Sequence, residues 1–136
     1  MKPMIKEWAL AAWLCAGAAC AQTAPTPADG KALFAKNCAA CHQADGRGIP
    51  GAFPALAGSA LVLGAPAEAA EVLLKGRGGM PDFSGSLDDA DIAAVLSYVR
   101  ASWGNRAAPV ADTEVGAQRL VLQLPPPSRN RFGNKH

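Results

Sequence analysis

The run Cys38-Ala39-Ala40-Cys41-His42 holds the sharpest chemistry in the chain: two thiols three residues apart, with a histidine directly after the second. On a helical turn the two thiols project from the same side, and the imidazole that follows points toward whatever the thiols hold. Cys-X-X-Cys-His is the attachment pattern of a covalent c-type haem, in which each thiol forms a thioether with one vinyl group and the histidine ligates the iron from the proximal side. Other readings of two close cysteines fit less well. A zinc site needs two more ligands at suitable spacing, a thioredoxin-like pair needs a βαβ context, and a structural disulfide gives the adjacent histidine no reason to be there.

Met80 is the candidate second axial ligand. A thioether opposite histidine favours ferrous iron and raises the potential into the range useful for electron transfer. A lone methionine is more often core filler. This one sits between Gly78-Gly79 and Pro81, on a loop whose glycines allow a close approach, and the other two methionines lie within the first four residues.

The elements that must position these groups can be read from caps and periodicity. Thr26-Pro27-Ala28-Asp29 predicts a helix starting at Pro27, with Thr26 as cap, and Leu33, Phe34 and Cys38 on one face. Glycine and proline recur from Gln43 to Gly64 and predict an ordered loop without regular structure. A second helix is expected over 66–75, with Pro66 in its first turn, Glu68 at its positive end, Gly76 as its stop and Val72 and Leu73 on its buried side. Ser86 is the expected cap of a third helix, in which Ile92, Val95, Leu96, Val99 and Trp103 form the strongest apolar stripe in the chain and Gly104-Asn105 ends it. The expected fold class is all-α.

The N-terminus reads as an export signal over residues 1–21: Lys2 and Lys6 supply a positive start, Trp8 to Ala19 form a 12-residue apolar run, and Ala19-Cys20-Ala21 offers small residues for cleavage. Cleavage after Ala21 removes Cys15 and Cys20. Retention as an anchor is disfavoured because the run falls short of the roughly 20 apolar residues a membrane span needs. Lipidation at Cys20 is disfavoured because Gly17 stands where such signals usually carry leucine. The expected location is the periplasm, with membrane association only through partners or through an uncleaved or lipidated N-terminus.

Residues 22–26 form a short linker, 27–105 the domain, and 106–136 a basic C-terminal tail. Pro125-Pro126-Pro127 and the polar final residues predict that this tail is extended or disordered. Residues 27–105 carry six basic and eight acidic side chains, net −2, while 106–136 carry five and two, net +3. The tail therefore reads as a solubilising segment, with a docking arm as the sharper alternative. A whole-chain charge of +2, with basic residues spread out and no aromatic residues interleaved, argues against nucleic acid as a partner. At 136 residues the chain has room for one domain plus extensions. It holds only eight aromatic residues, so a large apolar cofactor is a natural filler for its core.

At these residues the sequence resembles the class I cytochromes c, and more closely the small monohaem cytochromes that serve as subunits or partners of bacterial periplasmic dehydrogenases. The resemblance runs from about Ala28 to Asn105, through Gly30-Lys31-Ala32-Leu33-Phe34, the Cys-X-X-Cys-His run, Phe53-Pro54-Ala55-Leu56-Ala57-Gly58, Gly79-Met80-Pro81-Asp82-Phe83, residues 91–100 and Trp103-Gly104-Asn105. It implies three to four helices and ordered loops wrapped around one haem c. It also implies a crossing of the first and last helices at Gly30, Phe34 and Tyr98, and a Pro54 carbonyl that accepts from the far nitrogen of His42. Arg47, Lys75 and Arg77 are candidates to pair with the haem propionates, although solvated surface charge is the default for each. The expected function is a one-electron carrier between a periplasmic dehydrogenase, as donor, and another cytochrome or a terminal oxidase, as acceptor. The alternatives are a gas sensor or enzyme with an open iron site, and a structural subunit that connects larger partners.

Overall fold

The structure is a computed structural model, and it describes residues 27–127. The predicted export signal, the linker with Thr26, and residues 128–136 lie outside the described residues.

The first helix, α1, runs Gly30–Asn37 and begins three residues later than the sequence predicts. Asp29 takes the cap: its carboxylate accepts from the N–H groups of Lys31 at 3.0 Å and Ala32 at 3.1 Å. Two first-turn donors satisfied by one carboxylate fix the start, which leaves Pro27 and Ala28 outside the helix. The axis then breaks at Cys38 (φ −122°), and a single turn, α2, spans Ala39–His42. Gln43, with φ 63°, stops it.

The following loop contains one further turn, α3 (Ala60–Leu63), capped by Ser59. Helix α4 occupies Pro66–Lys75, as predicted, and Gly76 ends it at φ 73°. Its buried residues are Ala69, Ala70 and Leu74, whereas Val72 and Leu73 are only half-buried. The covered stripe is rotated because a C-terminal helix, absent from the sequence reading, packs on the Ala70–Leu74 side.

Helix α5 runs Asp89–Arg100, capped by Asp88, whose carboxylate accepts from Asp91 N–H at 2.8 Å. Ser86 is not the cap, because it is engaged in the preceding turn, its N–H and hydroxyl both donating to the Phe83 carbonyl. The predicted stripe of Ile92, Val95, Leu96 and Val99 is buried. The helix ends at Arg100, short of Gly104-Asn105, and Trp103 lies beyond it in a left-handed backbone conformation (φ 53°).

The expectation of an extended or disordered tail is overturned for much of its length. Residues Asp112–Val121 form helix α6, which packs on α4 and α5. The Glu114 carboxylate accepts from Ala111 N–H at 2.8 Å, and Asp112 joins Glu114 as an acid in the first turn, complementing the helix dipole. Val115 is fully buried in a cluster with Val110, Ala70, Leu74, Leu87 and Ile92. Of the tail's basic residues, Arg119 is buried rather than free for docking or solvation.

A second cluster joins α1 to α5 through Phe34, Val62, Val95 and Val99, with Cys38, Tyr98 and Trp103 at its margin. Phe34 packs against Tyr98 and Trp103 at ring-centroid distances of 5.6 and 5.1 Å. The helices meet at Gly30, where any Cβ would strike the Ala94 carbonyl. Gly30, Phe34 and Tyr98 thus form the crossing that the resemblance implied.

If α6 is part of the core, Val115→Ala should lower the unfolding free energy by about 1–3 kcal/mol in urea titration. A solubilising tail would give a change within about 0.5 kcal/mol.

Candidate functional site

The kink at Cys38 is what separates the two thiols from the body of α1. Cys38 lies half-buried against the Phe34–Val95–Val99 cluster, and Cys41 follows one turn later on α2. They form no disulfide with one another. Burial pushes the Cys38 thiol up to about 11, and the charge of Cys41 adds to the shift. His42 ends α2 and is only 8% exposed.

The Nδ1 of His42 lies 2.9 Å from the carbonyl oxygen of Pro54. A carbonyl can only accept, so Nδ1 carries the proton and donates, and Nε2 keeps an unprotonated lone pair. This is the arrangement a metal-ligating histidine needs, with one nitrogen fixed by a hydrogen bond and the other free to coordinate.

The segment that delivers Pro54 is held at several points. Gly48 N–H donates to the His42 carbonyl at 2.9 Å, and Ile49 and Phe53 exchange backbone hydrogen bonds at 2.9 and 2.8 Å. Gly48 has φ 63°, and a Cβ there would collide with the Phe53 and Pro54 carbonyls, so glycine is required beside the acceptor. Trp103 reaches across from the end of α5, its Nε1–H donating to the Ala44 carbonyl at 3.0 Å while its ring covers Gly46. Asn105, 4% exposed, donates to the carbonyls of Leu56 (3.1 Å) and Val99 (2.9 Å) and accepts from Gly58 N–H at 2.8 Å. Trp103-Gly104-Asn105 is therefore the clamp that ties both ends of this segment to α5.

Arg100 was not singled out by sequence. It is 4% exposed and donates to the carbonyls of Ala108 (2.7 Å), Val62 (2.6 Å) and Gly64 (2.9 Å), fixing α3 against α5. Its signal was hidden because an arginine at a helix C-terminus ordinarily reads as a dipole partner.

Met80 sits half-buried on a tight turn in which Arg77 and Met80 exchange backbone hydrogen bonds at 3.2 and 3.0 Å. The turn rests on Gly76, where a Cβ would come 2.5 Å from the Met80 carbonyl oxygen. Arg47 pairs loosely with Asp45 at 3.8 Å, both side chains largely exposed, Lys75 pairs with Glu71 at 3.2 Å, and Arg77 is exposed. All three are solvated surface cations in this structure.

Rival chemistries lose their geometry. Among the described residues no three His, Cys, Asp or Glu side chains converge to hold a metal ion, which a zinc site would require. The only β structure among those residues is two isolated bridges, Ile49 with Phe53 and Arg77 with Met80, so there is no βαβ unit for a thioredoxin-like pair. Two thiols one turn apart, followed directly by a tautomer-fixed imidazole, suit a covalent haem, and a helical scaffold built around one such site defines a single-haem c-type protein.

Comparison with known proteins agrees. The family described as cytochrome C oxidase, cbb3-type, subunit III matches residues 25–99. Cytochrome c-552 of Thermus thermophilus is 38% identical over 116 residues, covering 74% of each chain. The cytochrome c subunit of the quinone alcohol dehydrogenase of Gluconacetobacter polyoxogenes is 36% identical over 97 residues, covering 62% of this chain and 20% of that one. Cytochrome c6 from the diatom Phaeodactylum tricornutum is 34% identical, covering 54% of this chain and 90% of that structure at a TM-score of 0.46. The chain belongs to the cytochrome c family. It is a monohaem c-type cytochrome, and its cofactor is haem c, covalently bound and carrying iron. The family match ends before α6, at residue 99.

Because Asn105 satisfies three backbone groups at once, Asn105→Ala should cost about 1–3 kcal/mol. Urea titration reads the loss, and a variant as stable as the parent would show that water or neighbouring groups replace the clamp without cost.

Proposed function

We propose that this protein is an exported, periplasmic one-electron carrier, taking electrons from a dehydrogenase and passing them to another cytochrome or a terminal oxidase, with no catalysis of its own. In this reading Cys38 and Cys41 would hold the haem through two thioethers, His42 and Met80 would ligate its iron, and the Pro54 carbonyl orients His42. The observation that carries it is the His42 Nδ1–Pro54 hydrogen bond, which leaves Nε2 as the one nitrogen able to coordinate.

The haem supplies one-electron iron chemistry when bound. Each residue has a distinct task beside it. His42, by donating from Nδ1, keeps its ring plane fixed and its Nε2 electron-rich. Met80 supplies a soft sulfur that favours the reduced state. Glycine at 48 and 76 lets the chain approach the Pro54 and Met80 carbonyls closely, and Gly46 lets it lie against the Trp103 ring, so both segments pack tightly. Export is supported by the positive, apolar and small-residue order of residues 1–21. A dehydrogenase as donor is supported by the likeness to the alcohol dehydrogenase subunit. Among the described residues no helix is long and apolar enough to cross a membrane.

Two variants test the assignment. Changing Cys38 and Cys41 together to serine should yield protein from which haem is removed by acid-organic extraction, while the parent keeps it. Met80→Ala should abolish the near-infrared charge-transfer band of a ferric iron–thioether bond, lower the midpoint potential and admit carbon monoxide. If the parent itself lacks that band and binds carbon monoxide as fast as an open haem, Met80 is filler and the sensor or enzyme reading replaces the carrier.

A further inference from the structure

The segment between α4 and α5, residues 76–88, carries Met80 near its front and is anchored from behind by a side chain that comes from outside the family match. Arg119 of α6 has only 4% of its side chain exposed. Its Nε donates to Asp89 Oδ1 at 2.7 Å, and its Nη1 donates to the Ser84 carbonyl at 3.0 Å and to the Pro125 carbonyl at 3.2 Å. One guanidinium therefore joins the first residue of α5, the back of the Met80 segment and the chain beyond α6.

We propose that Arg119 is a positioning residue for Met80, holding the rear of the 76–88 segment so that the methionine stays at the haem. This rests on the reading of Met80 as an axial ligand. The segment's own bonds explain why an outside anchor matters. Its front is pinned by the Arg77–Met80 turn and its middle by Phe83 N–H donating to the Leu73 carbonyl at 2.8 Å. Behind Phe83, the backbone hydrogen bonds of Ser86 and Leu87 only return to the Phe83 carbonyl, so they close a turn, and it is the Leu87 side chain, buried in the shared cluster, that packs this stretch against the helices. The Ser84 carbonyl accepts no backbone hydrogen bond among the described residues, and Arg119 is the donor that ties it to the body of the protein.

Stability alone does not account for an arginine here. The neighbouring cluster is apolar, and a hydrophobic pair in place of both Arg119 and Asp89 would hold α6 there without burying a charge, often with no loss of stability. Arg119 instead leaves its Nη2 buried with no partner among the described residues. Gly116 makes the same point: glycine weakens a helix interior, yet here a Cβ would sit 3.3 Å from Asp89 Oδ2, so the small residue gives room to the carboxylate that holds Arg119. Gln118 adds a lighter tie to α4, donating to Glu71 Oε2 at 3.3 Å. The two helices that flank the Met80 segment are thus both bonded to α6.

The test uses the holoprotein with Arg119→Met, which keeps the volume and removes the donors. Carbon monoxide should bind the ferrous variant about tenfold faster, equivalent to about 1.4 kcal/mol of easier local opening. Amide hydrogen exchange at 83–87 should accelerate, while exchange at 44–58 stays as in the parent. A variant that melts at a lower temperature but keeps the parent's carbon monoxide rate and its exchange at 83–87 would overturn the proposal and make Arg119 a helix staple. If Arg119→Met does not accumulate as holoprotein, Arg119→Lys takes its place, keeping the charge beside Asp89 but losing the fork that also reaches Ser84: faster carbon monoxide binding and faster exchange at 83–87 uphold the anchor, and parental values of both overturn it. The parent's near-infrared band separates this from the Met80 reading. Where the band is absent, Met80 is not a ligand, and exchange alone judges Arg119: faster exchange at 83–87 upholds the anchor, and unchanged exchange overturns it.

Discussion

A histidine that ligates a metal through one nitrogen must dispose of the other, and the proposed ligand His42 has the Pro54 carbonyl 2.9 Å from its Nδ1 to accept that proton. The rest of the structure can be understood as the cost of keeping that one acceptor in place. Pro54 belongs to a segment with almost no regular structure, so its position has to be imposed from outside. Gly48 lets the chain pass close to the acceptor, Trp103 pins the Ala44 end, and Asn105 pins Leu56 and Gly58. These last two side chains come from the end of α5, which is itself fixed to α1 by the close crossing at Gly30 and the packing of Phe34, Tyr98 and Trp103. Attachment chemistry, imidazole orientation and the α1–α5 crossing are consequently one mechanical unit.

The opposite side is built differently. Met80 hangs on a turn between α4 and α5, and the packing behind it comes from Leu74, Leu87, Ile92 and Val115, the last supplied by α6. The family match ends at residue 99, so α6 lies outside it. The added C-terminal helix covers this flank, and Arg119 and Gln118 bond it to the elements on both sides. The hydrophobic cluster on this side is thus shared between the family domain and its extension.

The parts of this protein that were legible in its sequence are those where local chemistry and global fold agree. Cys-X-X-Cys-His can be read because its spacing is the chemistry. Helix α4 can be read because Pro66, Glu68 and Gly76 mark both ends, and the α5 stripe because its period is unbroken. Helix starts at α1 and α5 slipped because each had competing caps, and the aspartate that reached two donors or the first open N–H took precedence over the threonine or serine before it. Helix α6 escaped detection for a different reason. Its buried stripe includes Arg119, so the apolar period is interrupted where a charge is satisfied by a partner 30 residues away, and no local pattern reveals that pairing. Asn105 and Arg100 were hidden in the same way, since their hydrogen bonds run to backbone groups distant in sequence.

The proposed site depends on His42 offering Nε2 to the iron because Nδ1 is committed to Pro54. Nitrogen-15 NMR of the reduced holoprotein, labelled in histidine, tests this most directly. The expected result is one slowly exchanging proton on Nδ1 of His42, coupled across a hydrogen bond to the Pro54 carbonyl, and none on Nε2. A proton found on Nε2, or an Nδ1 proton that exchanges freely with solvent, would contradict it.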